Sequence, residues 1–278
     1  MGNLLKIFVL IAVIAVPFAA QDLKPEDVIA KHLNAIGKKE LRDSIKTLIA
    51  AGASEFESRT PVIKGGGKAI VVSDASNLYF VLGLNSKEYP AEKVGYFNGK
   101  ASLPFIAAGN RSLLGMFLNE HAKMLSDGLF VGGMSLTWIL NDPEHRKARF
   151  KSAGTKKIDG KKLYAIEYSP ANGGSSEFSV RLFFDESFNH VRTEYKREIQ
   201  TKQGTFGQAN QQASAKMDLT EVFSDFRTVD GITLPYVYRV TFVSNSNQMV
   251  NENSWGIRVN QYYFNQQLAP DFFTFDVK

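Results

Sequence analysis

Phe223-Ser-Asp-Phe-Arg-Thr-Val-Asp-Gly-Ile-Thr-Leu-Pro-Tyr-Val-Tyr-Arg-Val-Thr-Phe242 is the stretch whose reading decides the fold. Leu234, Tyr236, Tyr238, Val240 and Phe242 take alternate positions, which puts their side chains on one face of an extended strand. Asp230-Gly231 just before them is a tight-turn signal, so two antiparallel strands are expected to meet there. The run Ile158-Asp-Gly-Lys-Lys-Leu-Tyr164 repeats the arrangement, one hairpin solution used twice.

The same period of two extends on both sides. Leu78, Phe80, Leu82 and Leu84 alternate, as do Tyr164, Ile166 and Tyr168, then Phe178, Val180, Leu182 and Phe184. Trp255, Ile257 and Val259 mark the last long strand. Lys64-Gly-Gly-Gly-Lys68 and Asp74-Ala-Ser-Asn77 read as turns between strands. Consecutive late strands have no helix between them, so the sheet should be antiparallel and meandering.

Two segments depart from this period. Pro25 to Ile36 predicts a helix: Pro25 suits its first position, and Val28, Ile29, Leu33 and Ile36 form one apolar face. Lys39 to Ile45 adds a turn or two. Residues 102–140 are apolar without alternation. Within them Arg111 to Leu125 reads as a helix capped by Asn110, and an apolar stretch carrying Trp138 follows. The polar stretch Gln200 to Lys216 reads as a long hairpin loop.

So few helices cannot cover one apolar face of roughly ten strands if the sheet is flat. A curled sheet with helices in its mouth solves the geometry and creates an apolar cavity. Two readings then stand: a cavity that takes an apolar guest, or a core filled by the chain's own large side chains, of which 21 are Phe.

Composition excludes several chemistries. The chain has no cysteine, so disulfides, thiol nucleophiles and thiolate metal sites are ruled out. Its net charge of +5 comes from scattered basic residues, not from a stripe, and no nucleic-acid partner is expected. The histidines (His32, His121, His145 and His190) form no His-Glu-x-x-His. Gly133-Met-Ser-Leu-Thr137 lacks the closing glycine of a nucleophile elbow, and Gly65-Gly-Gly-Lys68 lacks phosphate-loop spacing. A noncatalytic protein without cofactor or metal is expected.

Residues 1–20 have the layout of a secretory signal: Lys6, an apolar run Ile7 to Val16, then Pro17-Phe-Ala-Ala20 before polar residues. The rest, 21–278, is expected to be a single domain with a helical insertion around 102–140.

Further runs resemble the LolA-like proteins, the superfamily of outer-membrane lipoprotein-sorting and lipid-carrier proteins. They are Pro25-Glu-Asp-Val-Ile-Ala-Lys-His-Leu-Asn-Ala-Ile36 with Gly52-Ala-Ser-Glu-Phe56, Ile158 to Tyr168, Leu182-Phe-Phe-Asp-Glu186, Phe223 to Pro235, and Phe264-Asn-Gln-Gln-Leu-Ala-Pro-Asp-Phe-Phe273. The resemblance implies a mainly β fold with a helical lid, a strongly curved antiparallel half-barrel over a hydrophobic cavity. It also implies periplasmic location, with release from the cell as the alternative, and a lipid or the acyl chain of a lipoprotein as partner, with transient contact to membrane or envelope proteins. This chain is longer than the minimal carriers, partly through 102–140 and 200–216. The expected cavity and lid residues are Leu113, Phe117, Leu118 and Trp138 from the insertion, with Tyr236, Tyr238, Phe242 and Trp255 from the strands. The rival function is an envelope interaction or sensor protein on the same scaffold with a filled core.

Overall fold

A computed structural model describes residues 23–107, 109–170, 178–200, 214–246, 249–269 and 271–275. The expected signal, 1–20, and most of the polar stretch 200–216 lie outside these residues. The chain opens with α1 (Pro25–Ile36) and α2 (Lys39–Ser44). Five strands follow: β1 (Leu48–Arg59), β2 (Val62–Ser73), β3 (Leu78–Gly83), β4 (Ala91–Phe97) and β5 (Lys100–Ser102). The insertion carries α3 (Leu113–Glu120), α4 (Lys123–Ser126) and short 3-10 turns at Gly132–Met134 and Ile139–Asn141. Seven strands complete the chain: β6 (Arg149–Ile158), β7 (Lys161–Ser169), β8 (Ser179–Phe184), β9 (His190–Gln200), β10 (Ser214–Val229), β11 (Ile232–Ser246) and β12 (Met249–Phe264).

All twelve strands join one open, curved, antiparallel sheet in the order β5-β4-β3-β2-β1-β12-β11-β10-β9-β8-β7-β6. It consists of two meanders stitched where β1 pairs with β12. The two Asp-Gly turns form as read. Asp159 and Gly160 take φ of 49° and 79°, and Asp230 and Gly231 take 50° and 78°, as a two-residue hairpin demands.

The topology dictates where the insertion goes. β5 and β6 are the opposite edges of the sheet, and the insertion is the chain that joins them. It has to cross the open side. It does so through the trough: Leu114, Leu118, Leu129, Phe130, Val131, Met134, Trp138, Ile139 and Leu140 are all buried, together with Phe80, Phe184, Phe223, Tyr195 and Tyr238 from the strands. The sheet is curled enough for this one segment to touch strands near both edges. α4 packs on β5, while Asp127 accepts a 2.8 Å hydrogen bond from the Tyr168 hydroxyl on β7. The insertion therefore fills the trough instead of roofing an empty one.

Local detail departs from the sequence reading in three places. The helix expected over Arg111 to Leu125 is broken into α3 and α4, and its cap is Ser112, whose Oγ accepts from the Gly115 N–H at 2.7 Å, not Asn110. The break falls at His121, where packing overrides helical periodicity: its buried ring stands edge-on to Phe178 at 4.4 Å and lies 5.0 Å from Phe117. Lys64-Gly-Gly-Gly-Lys68 is not a turn but the middle of β2. A Cβ at Gly66 would sit 2.7 Å from the Ser54 carbonyl oxygen, and one at Gly67 2.5 Å from that of Gly83, so these glycines let neighbouring strands approach. The reversal instead uses Thr60-Pro61.

Candidate functional site

Filling the trough leaves a cleft of about 880 Å³ at one end of it, within the range of roughly 300–1,000 Å³ usual for small-molecule sites. The strand ends define this end of the molecule: Leu48 opens β1, Ile232 and Leu234 open β11, and Phe264 closes β12. Two further walls come from outside the sheet. One is the stretch from Ile36 through α2, and the other is the later part of the insertion, from Gly133 to Arg146. The lining is mixed: Ile36, Leu48, Leu136, Trp138, Leu234 and Phe264 supply its apolar part, and Ser76, Asn77, Asn98, Ser135 and Asn141 supply neutral polar groups. The rim is charged: Arg42, Asp43 and Lys46 on one side, Asp142, His145 and Arg146 on the other.

The rim charges are not equally engaged. Asp43 pairs with Lys39, whose ammonium holds the carboxyl below its usual range. Asp142 accepts from the His145 backbone N–H at 3.2 Å and lies 3.7 Å from the His145 ring. Arg42 donates from Nε to the Gly37 carbonyl at 3.1 Å, and Arg146 donates from Nη1 to the Ser126 carbonyl at 3.1 Å. Lys46 donates to the Asp43 carbonyl at 2.8 Å.

Behind Trp138 lies a neutral polar cluster. His32 donates from Nδ1 to the Phe188 carbonyl at 2.7 Å, and His190 Nε2 meets Thr193 Oγ1 at 2.9 Å. Burial lowers both histidines, His32 to about 4 and His190 well below its ordinary value. Both rings are therefore uncharged at neutral pH. The Trp138 ring is 5.0 Å from His32 and 4.7 Å from His190. Trp138 Nε1, His32 Nε2 and His190 Nδ1 are buried without a hydrogen-bond partner among the described residues.

Two buried carboxyls hold the insertion to the sheet. Glu221 on β10 is fully buried. Its Oε1 accepts from the Val131 N–H at 2.8 Å and the Tyr238 hydroxyl at 2.8 Å, and its Oε2 lies 2.7 Å from the Tyr195 hydroxyl. That same hydroxyl lies 2.9 Å from the Leu129 carbonyl, so its single proton has two acceptors to serve. A protonated Glu221 resolves this: the acid donates to the Tyr195 oxygen, and Tyr195 donates to Leu129. Burial accordingly pushes the Glu221 pKa up to about 7. Glu92 on β4, also pushed by burial to about 7, accepts from the Tyr89 hydroxyl and bonds the helix-capping Ser112. Neither carboxyl lines the cleft. Among the described residues no group of His, Asp and Glu could hold a metal ion.

Of the residues named from the sequence, Trp138 borders the cleft. The rest are placed elsewhere. Phe117 and Leu118 are buried on α3, with Phe242 against Phe117 at 5.3 Å, and Leu113 is half-buried at the helix start. Tyr238 serves Glu221. Trp255 donates from Nε1 to the Tyr89 hydroxyl at 2.6 Å. Tyr236 is half-buried, edge-on to Tyr262 at 5.3 Å and beneath the Arg227 guanidinium. The cleft cations Arg42, Lys46 and Arg146, and the carboxyls Glu92 and Glu221, were missed. Both carboxyls had a signal: each sits on the buried register of an alternating strand, Leu219-x-Glu221-x-Phe223 and Glu92-x-Val94.

In architecture the chain is similar to LolA superfamily proteins. A LolA superfamily protein of Nitrosomonas europaea matches with 10% sequence identity over 91% of this chain and 99% of its own, at a TM-score of 0.48. A Vibrio parahaemolyticus domain described as an outer membrane lipoprotein-sorting protein matches with 11% identity over 89% of this chain and 96% of its own, at a TM-score of 0.45. A DUF1329 family protein of Desulfovibrio piger gives 12% identity over 90% and 96%, at a TM-score of 0.42. No protein-family model and no curated protein matches the sequence.

Proposed function

We propose that this chain is an exported, noncatalytic binding protein of the bacterial periplasm, folded as one domain, that holds the acyl chain of a lipid or of an acylated lipoprotein. The observation that carries this reading is the end cleft. Its lining combines apolar residues with polar and charged ones, which suits a guest that is apolar at one end and polar at the other. At about 0.8 kcal/mol per methylene, a chain laid along that surface gains its affinity mainly from burial. The proposed binding surface is Trp138 with Leu48, Leu136, Leu234 and Phe264; Leu113, Phe117, Leu118, Tyr236, Tyr238, Phe242 and Trp255 lie outside it. Because the insertion fills the trough, the guest lies against its end, beside α2 and residues 142–146.

The filled trough also favours a second reading, a protein-binding or sensor role on the same scaffold. Native mass spectrometry of protein purified without detergent, followed by organic extraction, separates the two. A co-purifying amphiphile, or uptake of one from added vesicles, supports the binding protein. A ligand-free mass that takes up nothing refutes it in favour of the partner-binding role.

A further inference from the structure

The rim of the cleft contains a charge arrangement that the apolar reading does not use. Arg42 and Arg146 are half-buried and both line the cleft, and neither forms a direct ion pair with a carboxylate among the described residues. Each is held by one backbone carbonyl, Gly37 for Arg42 and Ser126 for Arg146, which fixes the side chain and leaves guanidinium N–H groups over. Lys46, exposed on the same rim, adds a third cation. Of the rim carboxylates, Asp43 is bonded directly to Lys39 and feels Arg42 and Lys46 only through space, and Asp142 lies against His145. Keeping a half-buried guanidinium without a counter-charge is unfavourable, and its planar fork matches a carboxylate or phosphate in a two-bond geometry.

We infer that the cleft takes an amphiphile with an anionic head, its chain on the apolar surface and its carboxylate or phosphate between Arg42 and Arg146. This inference rests on the proposed function and narrows it to a ligand class. Arg42 comes from α2 and Arg146 from the end of the insertion, so the anion bridges two segments distant in sequence. Lys46 attracts the ligand from solution without being fixed on it, and this contribution weakens with salt.

The test is isothermal titration with dodecanoate, dodecyl phosphate and dodecanol, each below its micellar concentration, on the full mature chain and on Arg42→Gln/Arg146→Gln. The expected result is that one or both anions bind at least about tenfold tighter than the alcohol, the scale of a charge-assisted hydrogen bond. The double variant should lose this difference while keeping its affinity for dodecanol. Dodecanoate preferred over dodecyl phosphate points to free fatty acids, and the reverse points to phospholipid head groups. Equal binding of alcohol and anions overturns the head-group inference and leaves the acyl-chain reading standing. No binding of any of the three removes both. If the variant is misfolded by circular dichroism, the comparison of the three ligands on the unaltered chain still decides.

Discussion

Replacing Glu221 by glutamine should make the protein more stable at alkaline pH and leave it nearly unchanged in acid. The amide can keep every bond of the site. Its oxygen accepts from Val131 N–H and Tyr238, and its NH2 replaces the acid proton on Tyr195, which still reaches Leu129. What the substitution removes is the titration. In the folded protein the carboxyl is raised from 4.5 to about 7; unfolded, it ionises near its ordinary value. Between those limits the folded state binds more protons, so its stability falls as pH rises. The full difference is about 3 kcal/mol at ~1.4 kcal/mol per pH unit. The contribution is present below about pH 4.5, is lost through pH 7 and stays lost above. The absolute stability curve would hide this, because His32 and His190 are lowered by burial and lose stability in the opposite direction, as pH falls below 6.5. Glu92 adds a slope of the same sign as Glu221. The difference between variant and parent cancels these other groups. Urea unfolding at pH 4.5, 6 and 8 should therefore give a gap that grows from near zero to about 3 kcal/mol in favour of glutamine. A gap independent of pH would refute the assignment of a protonated Glu221.

Two further substitutions test the filled trough. Leu118→Asp places a carboxylate at a fully buried position away from the cleft, so chemical denaturation should show gross unfolding; a folded variant that only loses ligand would make α3 a lid after all. Gly128 has a φ of +70°, and a Cβ there would lie 1.9 Å from the Thr137 carbonyl oxygen. Gly128→Ala should cost roughly 2 kcal/mol or more in thermal or urea unfolding, and a neutral effect would mean that the insertion's hairpin at Gly128 and Ile139 is not closed as described.

Much of the fold was legible because strands with one buried face write their register into the sequence. Leu234 to Phe242 and the two Asp-Gly turns needed no tertiary information, and α1 runs from Pro25 to Ile36 as its apolar spacing required. The β2 glycines misled because a glycine run signals either a reversal or a close approach of strands, and only the neighbouring carbonyls distinguish them. The site was far less legible. Its walls come from strand ends, α2 and the insertion, segments distant in sequence that share no motif. Arg42 and Arg146 look like ordinary surface cations until the fold brings both to one cleft.

The insertion shows where pattern reading stops and why. Its apolar, non-alternating sequence is compatible with a roof over the trough and with a filling inside it, since both bury the same residue types. The choice depends on volume and on hydrogen bonds. Phe130, Trp138 and their neighbours occupy the space below the sheet, and a dry void there would forfeit dispersion contacts on every wall. A purely apolar filling could settle in several positions. Here the Val131 N–H is fixed on Glu221, and Ser112, which caps α3, is fixed on Glu92, so the segment is tied to the sheet near its start and at its middle. Its last part, residues 133–146, is then carried to the trough end as a wall. The position of the cleft thus follows from two buried carboxyls that do not touch it.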